Sequence, residues 1–219
     1  MTVTDKISIN TRSSQQLIDE FAQPADHHYS LKFNKQQRRR QSLVGRALVR
    51  RLLVQTSTTN PAEWDLTPDV GQPWQAKCFH TPPCSGSHKY KRSPIFFSIS
   101  HSQQWVVAAI DETHPVGIDL EQVRPTRDMN KLLTGIIDTQ SPELPASIEG
   151  QYLLWCAFEA YCKVRYQRLI FPVPPALLLL NWNQPELNDS CLQIEESNFI
   201  FKARRFEEFV CVLCYQQLA

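Results

Sequence analysis

The sequence predicts an α+β protein of two similar lobes, each a helix, then a proline-broken stretch, then a strand–turn–strand pair. Two segments, 34–54 and 147–167, carry apolar residues at helical spacing. Each is followed, beyond a proline-rich run, by paired apolar stretches of strand length. The chain also divides by charge. Residues 27–110 hold 12 Lys and Arg against three acids, residues 111–219 hold nine against 15, and the first 26 residues add a net −2. A total charge of +1 therefore conceals a basic half and an acidic half. With 219 residues, 42% of them hydrophobic, the chain can bury a real core. The repeated order of elements implies lobes at 1–112 and 113–219 with a ligand cleft between them.

Taken in order, residues 1–30 show weak periodicity and read as a loosely packed lead-in. The first helix starts at Asn34, a plausible N-cap, and repeats Leu43, Val44, Ala47, Leu48 and Leu52 on one face with arginines around the rest. Pro61, Pro68, Pro73, Pro82, Pro83 and Pro94 keep regular structure short over 55–94. Residues 94–100 and 105–111 form a hairpin across HSQQ, and a third strand, 116–121, follows a turn at His114 and Pro115. Gly135, Pro142 and Pro145 leave 128–145 ambiguous. Ser147 caps the second helix, which Pro172, Pro174 and Pro175 stop. The runs 176–182, 198–205 and 209–215 read as strands.

Several classes drop out. The six glycines form neither a G-x-G-x-x-G fingerprint nor a G-x-x-x-x-G-K loop, so any phosphate must be held by side chains and helix ends. No apolar run can span a bilayer, and the start of the chain has no apolar leader. Seven cysteines, an odd number, read as reduced thiols and point to the cytoplasm. Cys78, His80, Cys84 and His88 match no common zinc spacing and read as a surface loop. Cys211 and Cys214 sit in a strand, where alternation sends them to opposite faces and argues against a redox pair. The basic helix invites nucleic acid, but the acidic second half and the lack of a recognition motif weigh against it.

Three groups can carry chemistry. Asp119 and Glu121 lie two apart on a strand, so both carboxylates project from one face, which suits a divalent cation. Trp155, Glu159 and Lys163 share one face of the second helix, although Glu159 and Lys163 alone could be an ordinary surface pair. His101, predicted at the hairpin tip between Ser100 and Ser102, is either plain polar surface or a phosphate donor site.

The order FFSISHS (96–102), VGIDLE (116–121) and WCAFEAYCK (155–163) resembles the 4′-phosphopantetheinyl transferases, in particular the larger pseudo-dimeric type. The likeness covers roughly 31–163. It implies lobes related by a pseudo-two-fold axis, with coenzyme A between them and its 4′-phosphopantetheine group passing to a serine of an apo acyl, aryl or peptidyl carrier protein with release of 3′,5′-ADP. By the same resemblance Asp119, Glu121 and Glu159 would hold magnesium, or manganese, which accepts the same oxygen ligands. Glu159 would take the serine proton and Lys163 would contact the diphosphate. Ser100 and His101 would hold phosphate oxygens, and Lys35 and Arg40 lie near the positions for the 3′-phosphate. One chain supplying both lobes implies a monomer. Phe158 replaces a lysine of the helix motif and Gln72 a basic residue of a G-K/R-P motif, while 75–94 reads as an insertion. These losses of positive charge leave open a non-catalytic relative that binds coenzyme A or a carrier without transfer.

Overall fold

The computed structural model describes residues 2–9, 11–57, 60–67, 73–78, 93–137, 143–165, 168–184, 187–194 and 197–217. Its first half runs β1 (Val3–Ser8), α1 (Arg12–Phe21), α2 (Pro24–Ser30), α3 (Gln36–Thr56), β2 (Trp64–Asp65), β3 (Gln75–Cys78), β4 (Ile95–Ser102) and β5 (Trp105–Asp111). The second half runs β6 (Val116–Gln122), α4 (Met129–Thr134), α5 (Ile148–Arg165), β7 (Leu187–Ile194), β8 (Ser197–Phe206) and β9 (Phe209–Gln217). The strands form two separate sheets, ordered β1-β5-β4-β3-β2 and β6-β9-β8-β7, each packed against one long helix. In both, the first strand pairs with the last and the last with the one before it. No helix among the described residues is long and apolar enough to cross a membrane.

Three apolar layers explain why the strands read as they do. Val44, Ala47, Leu48 and Leu52 of α3 pack on Phe97, Val106, Ala108 and Ile110. Leu153, Leu154, Ala157 and Tyr161 of α5 pack on Phe199, Phe201, Val212 and Cys214. Between the sheets, Val107 and Ala109 meet Val116, Ile118, Leu120, Phe209 and Leu213. Strand β5 is thus covered on both faces, which is why its sequence is a continuous apolar run. Cys214 enters the α5 layer while Cys211 borders the layer between the sheets, on opposite faces as alternation requires.

Four expectations need correction. Residues 1–30 are not a loose lead-in. Strand β1 pairs with β5 from Val3 to Ser8, and Asp26 of α2 is fully buried between Arg46 (2.7 Å) and Arg50 (2.6 Å) of α3. Burial acts to raise the Asp26 pKa, but the hydrogen bonds and charges of the two arginines outweigh it and hold the carboxyl below its ordinary value. Lys35, not Asn34, takes the N-cap position of α3, without a side-chain cap bond. His101 lies within β4 opposite Val106, because the strand runs on to Ser102 and the turn falls at Gln103, whose φ is 52°. The leucine run 176–182 is no strand. Pro175 opens a 3-10 turn over Pro175–Leu179, and the fourth strand of the sheet is β7, which the polar sequence LNDSCLQI conceals. Ser147 does cap α5, its Oγ accepting the Gly150 N–H at 3.0 Å.

Candidate functional site

Strand β6 divides its residues between two environments. Val116, Ile118 and Leu120 enter the layer between the sheets, and Gly117, Asp119 and Glu121 turn to α5. A Cβ on Gly117 would stand 2.0 Å from the Ala160 carbonyl oxygen. Glycine there lets the helix backbone rest directly on the strand. That contact carries Lys163, one turn beyond Ala160, onto β6. Its Nζ donates to the Ile118 carbonyl and to Asp119 Oδ1, both at 2.8 Å. Glu159 and Lys163 are therefore not a solvated surface pair.

Asp119, Glu121 and Glu159 bring carboxylate oxygens within 4.8 Å of one another. Burial, and next the Asp119 charge, push the Glu159 carboxyl up to about 8 against the pull of Lys163. The same two causes raise Glu121, with Arg127 and Arg124 opposing them. Asp119 Oδ2 is buried with no hydrogen-bond partner among the described residues. Converging oxygens, mutual repulsion and an orphaned buried acceptor are what a hard divalent cation relieves, so this cluster can coordinate one.

The other predicted site residues fall in distinct places. Ser100 is buried, donates to Asp119 Oδ1 at 2.7 Å and accepts from the Leu120 N–H at 3.3 Å. His101 meets Arg38, whose Nη1 lies 3.0 Å from Nδ1 and contacts Nε2 as well. Burial, followed by Arg38 and Lys163, lowers the His101 pKa to about 4, so the ring is neutral and accepts from the guanidinium. Arg40 turns the other way, its Nε donating to Ile9 O at 2.6 Å and its Nη2 to Ser14 Oγ at 3.2 Å. Lys35 is exposed at the start of α3. Phe158 is fully buried, 6.0 Å from the Trp155 ring and 5.6 Å from Phe171, and points into the apolar core. Gln72, His80, Cys84 and His88, with Lys89, Lys91 and Arg92, lie outside the described residues. Cys78 is buried on β3 opposite Trp64.

Sequence reasoning missed three features around the site. Arg38 stands one helical turn from where a basic contact was sought. Cys156 is a buried thiol beside Asp119, with burial and then the Asp119 charge pushing its pKa well up and keeping it inert. Ser98 and Ser102 complete an alternating S-x-S-x-S, a pattern visible in the sequence without its partner strand.

Over part of its length the chain is distantly homologous to 4′-phosphopantetheinyl transferases. It is 32% identical over 81 residues to HetI of Nostoc sp., covering 34% of this chain and 34% of that protein. It is 34% identical over 83 residues to the enzyme of Bacillus subtilis, covering 36% and 37%, and 28% identical over 124 residues to gsp of Aneurinibacillus migulanus, covering 55% and 51%. The matches span between a third and about half of the length of these relatives. No protein-family model matches the chain.

Proposed function

We propose that the protein transfers 4′-phosphopantetheine from coenzyme A to a serine of an apo acyl or peptidyl carrier protein, releasing 3′,5′-ADP. The observation that carries this reading is the gathering of Asp119, Glu121 and Glu159 beside Lys163 at the α5–β6 contact, in a chain distantly homologous over part of its length to enzymes named for this reaction. Asp119, Glu121 and Glu159 are the residues proposed to hold magnesium, in a cleft between lobes 1–112 and 113–219. Bound there, the ion supplies positive charge against a pyrophosphate and the charge developing on its leaving oxygen. Lys163, its pKa raised by Asp119 and Glu159 in spite of burial, stays charged at neutral pH to meet the diphosphate. Glu159, which would give up its own proton when the cation binds, is the residue proposed to take the serine proton, directly or through water. Arg38, held by the neutral His101 ring that accepts from it, is the proposed donor at the basic side for a further phosphate, in the role first expected of Lys35 and Arg40.

The test is the intact mass of apo carrier proteins of fatty-acid, polyketide and peptide-synthetase type after incubation with this protein, coenzyme A and magnesium. A gain of one phosphopantetheine that EDTA and Asp119→Ala both abolish is the expected result. No gain on any carrier, from folded protein that binds coenzyme A, favours the second reading, a binder without transfer. The loss of the motif lysine at Phe158 is what motivates that alternative.

A further inference from the structure

Strands β4 and β6 belong to different sheets, yet they run side by side through serine hydroxyls. Ser98 Oγ accepts the Ile118 N–H at 3.1 Å, Ser100 Oγ the Leu120 N–H at 3.3 Å, and Ser102 Oγ the Gln122 N–H at 3.1 Å. The offset is 20 residues at every step, so the two strands point the same way. Three buried hydroxyls at alternate positions thus stand where a neighbouring strand would supply carbonyls. A hydroxyl that accepts still has a proton to give. Ser100 gives it to Asp119 Oδ1 at 2.7 Å and Ser102 to Glu121 Oε2 at 3.3 Å. Ser98 stands level with Gly117, which offers no carboxylate.

We infer that Ser100 and Ser102 are positioning residues for the acidic cluster, coupling the seam between the two sheets to the orientation of the carboxylates proposed to hold the cation. This rests on the metal reading of that cluster. Ser100 and Lys163 both bind Asp119 Oδ1, which leaves the buried Oδ2, without a hydrogen-bond partner among the described residues, as the ligand oxygen. Ser102 holds Glu121 in the same manner through a longer bond. Outer-sphere hydrogen bonds of this kind tune a site through its ligands. Ser98 is the built-in control, alike in the seam and without a carboxylate to hold.

The experiment titrates Mn2+ into the purified full chain, without coenzyme A, and follows free Mn2+ by electron paramagnetic resonance, with melting temperature measured alongside. Ser100→Ala should weaken Mn2+ binding by about tenfold, and Ser102→Ala by less. Ser98→Ala should lower the melting temperature and leave Mn2+ affinity at the wild-type value. Ser102→Thr, which keeps the hydroxyl, should recover the affinity lost in Ser102→Ala and carries the test if Ser100→Ala does not fold. Unchanged affinity in both alanine variants, with melting temperatures lowered as in Ser98→Ala, overturns the inference and leaves a purely structural seam. A wild-type chain that binds no Mn2+ overturns instead the reading of the cluster as a metal site, and the positioning role with it.

Discussion

Helices α3 and α5 each lie closely on a sheet, at Gly45 of α3 against Ile99 and at Gly117 of β6 against Ala160, and each brings charge into the interior, but they resolve that charge differently. On α3, Arg46 and Arg50 close around Asp26 and also donate to the Leu66 and Trp64 carbonyls, so donors and acceptors are matched. At α5, three carboxylates gather beside Lys163, and Asp119 Oδ2 has no hydrogen-bond partner among the described residues. A buried charge cluster that completes itself is architecture. One that remains unfinished is held at some cost to stability and waits for a ligand.

The largest effect expected from breaking this contrast is at the finished cluster. Asp26→Ala strands two buried guanidinium groups and should cost about 3–5 kcal/mol in urea denaturation, with Mn2+ affinity of the remaining folded protein unchanged. Gly117→Ala comes next. The new Cβ meets backbone rather than a flexible side chain, so α5 must lift from β6, at a cost of about 3 kcal/mol together with loss of Mn2+ binding. At the unfinished cluster the sign reverses. Glu159→Gln should leave stability within about 1 kcal/mol of wild type or raise it, while removing cation-dependent thermal stabilisation.

The two clusters should also answer pH in opposite senses. Asp26 has a folded-state pKa below 3.8, so its stabilising effect is present above that value and is lost as pH falls through the folded pKa. Glu159 moves from 4.5 to about 8, so the metal-free folded state holds a proton that the unfolded chain has released. Stability from that source is full below about pH 4.5 and drains away as pH rises towards 8. Melting temperatures across this range should fall with pH in EDTA, and fall less in Glu159→Gln; a slope unaffected by that substitution would contradict the assignment. The smallest effect belongs to Arg38→Ala, an exposed change worth within about 0.5 kcal/mol. Its mark is a rise in the His101 pKa from about 4, read by NMR titration, that stops short of the ordinary imidazole value because burial and Lys163 still lower it.

Sequence periodicity located α3, α5 and the β4–β5 hairpin because each buries a continuous apolar face through local spacing. It missed β1, whose place depends on pairing with β5, about a hundred residues away. It mistook the leucine run of 176–182 because composition does not reveal that Pro175 starts a tight turn. Charge counting overstated the basic half for the same reason. Arg46 and Arg50 are matched by Asp26, Arg51 by Asp5 and Arg40 by backbone and Ser14, and only three-dimensional pairing brings Arg38 forward. That Asp119 and Glu121 share one face of a strand, and Glu159 and Lys163 one face of a helix, was legible from strand and helix periods, but joining the two pairs rested on the family resemblance. That Gly117 and Ala160 then press those faces together was not legible.

The apolar layer shared by Val107, Ala109, Ile118, Leu120, Phe209 and Leu213 has a thermal consequence. Either sheet, melted alone, would present its half of that layer to water, which penalises melting one half without the other. Heat absorption on unfolding should accordingly form a single peak whose calorimetric and van't Hoff enthalpies agree. A chain with two lobes by connectivity then behaves, in its cooperativity, as one.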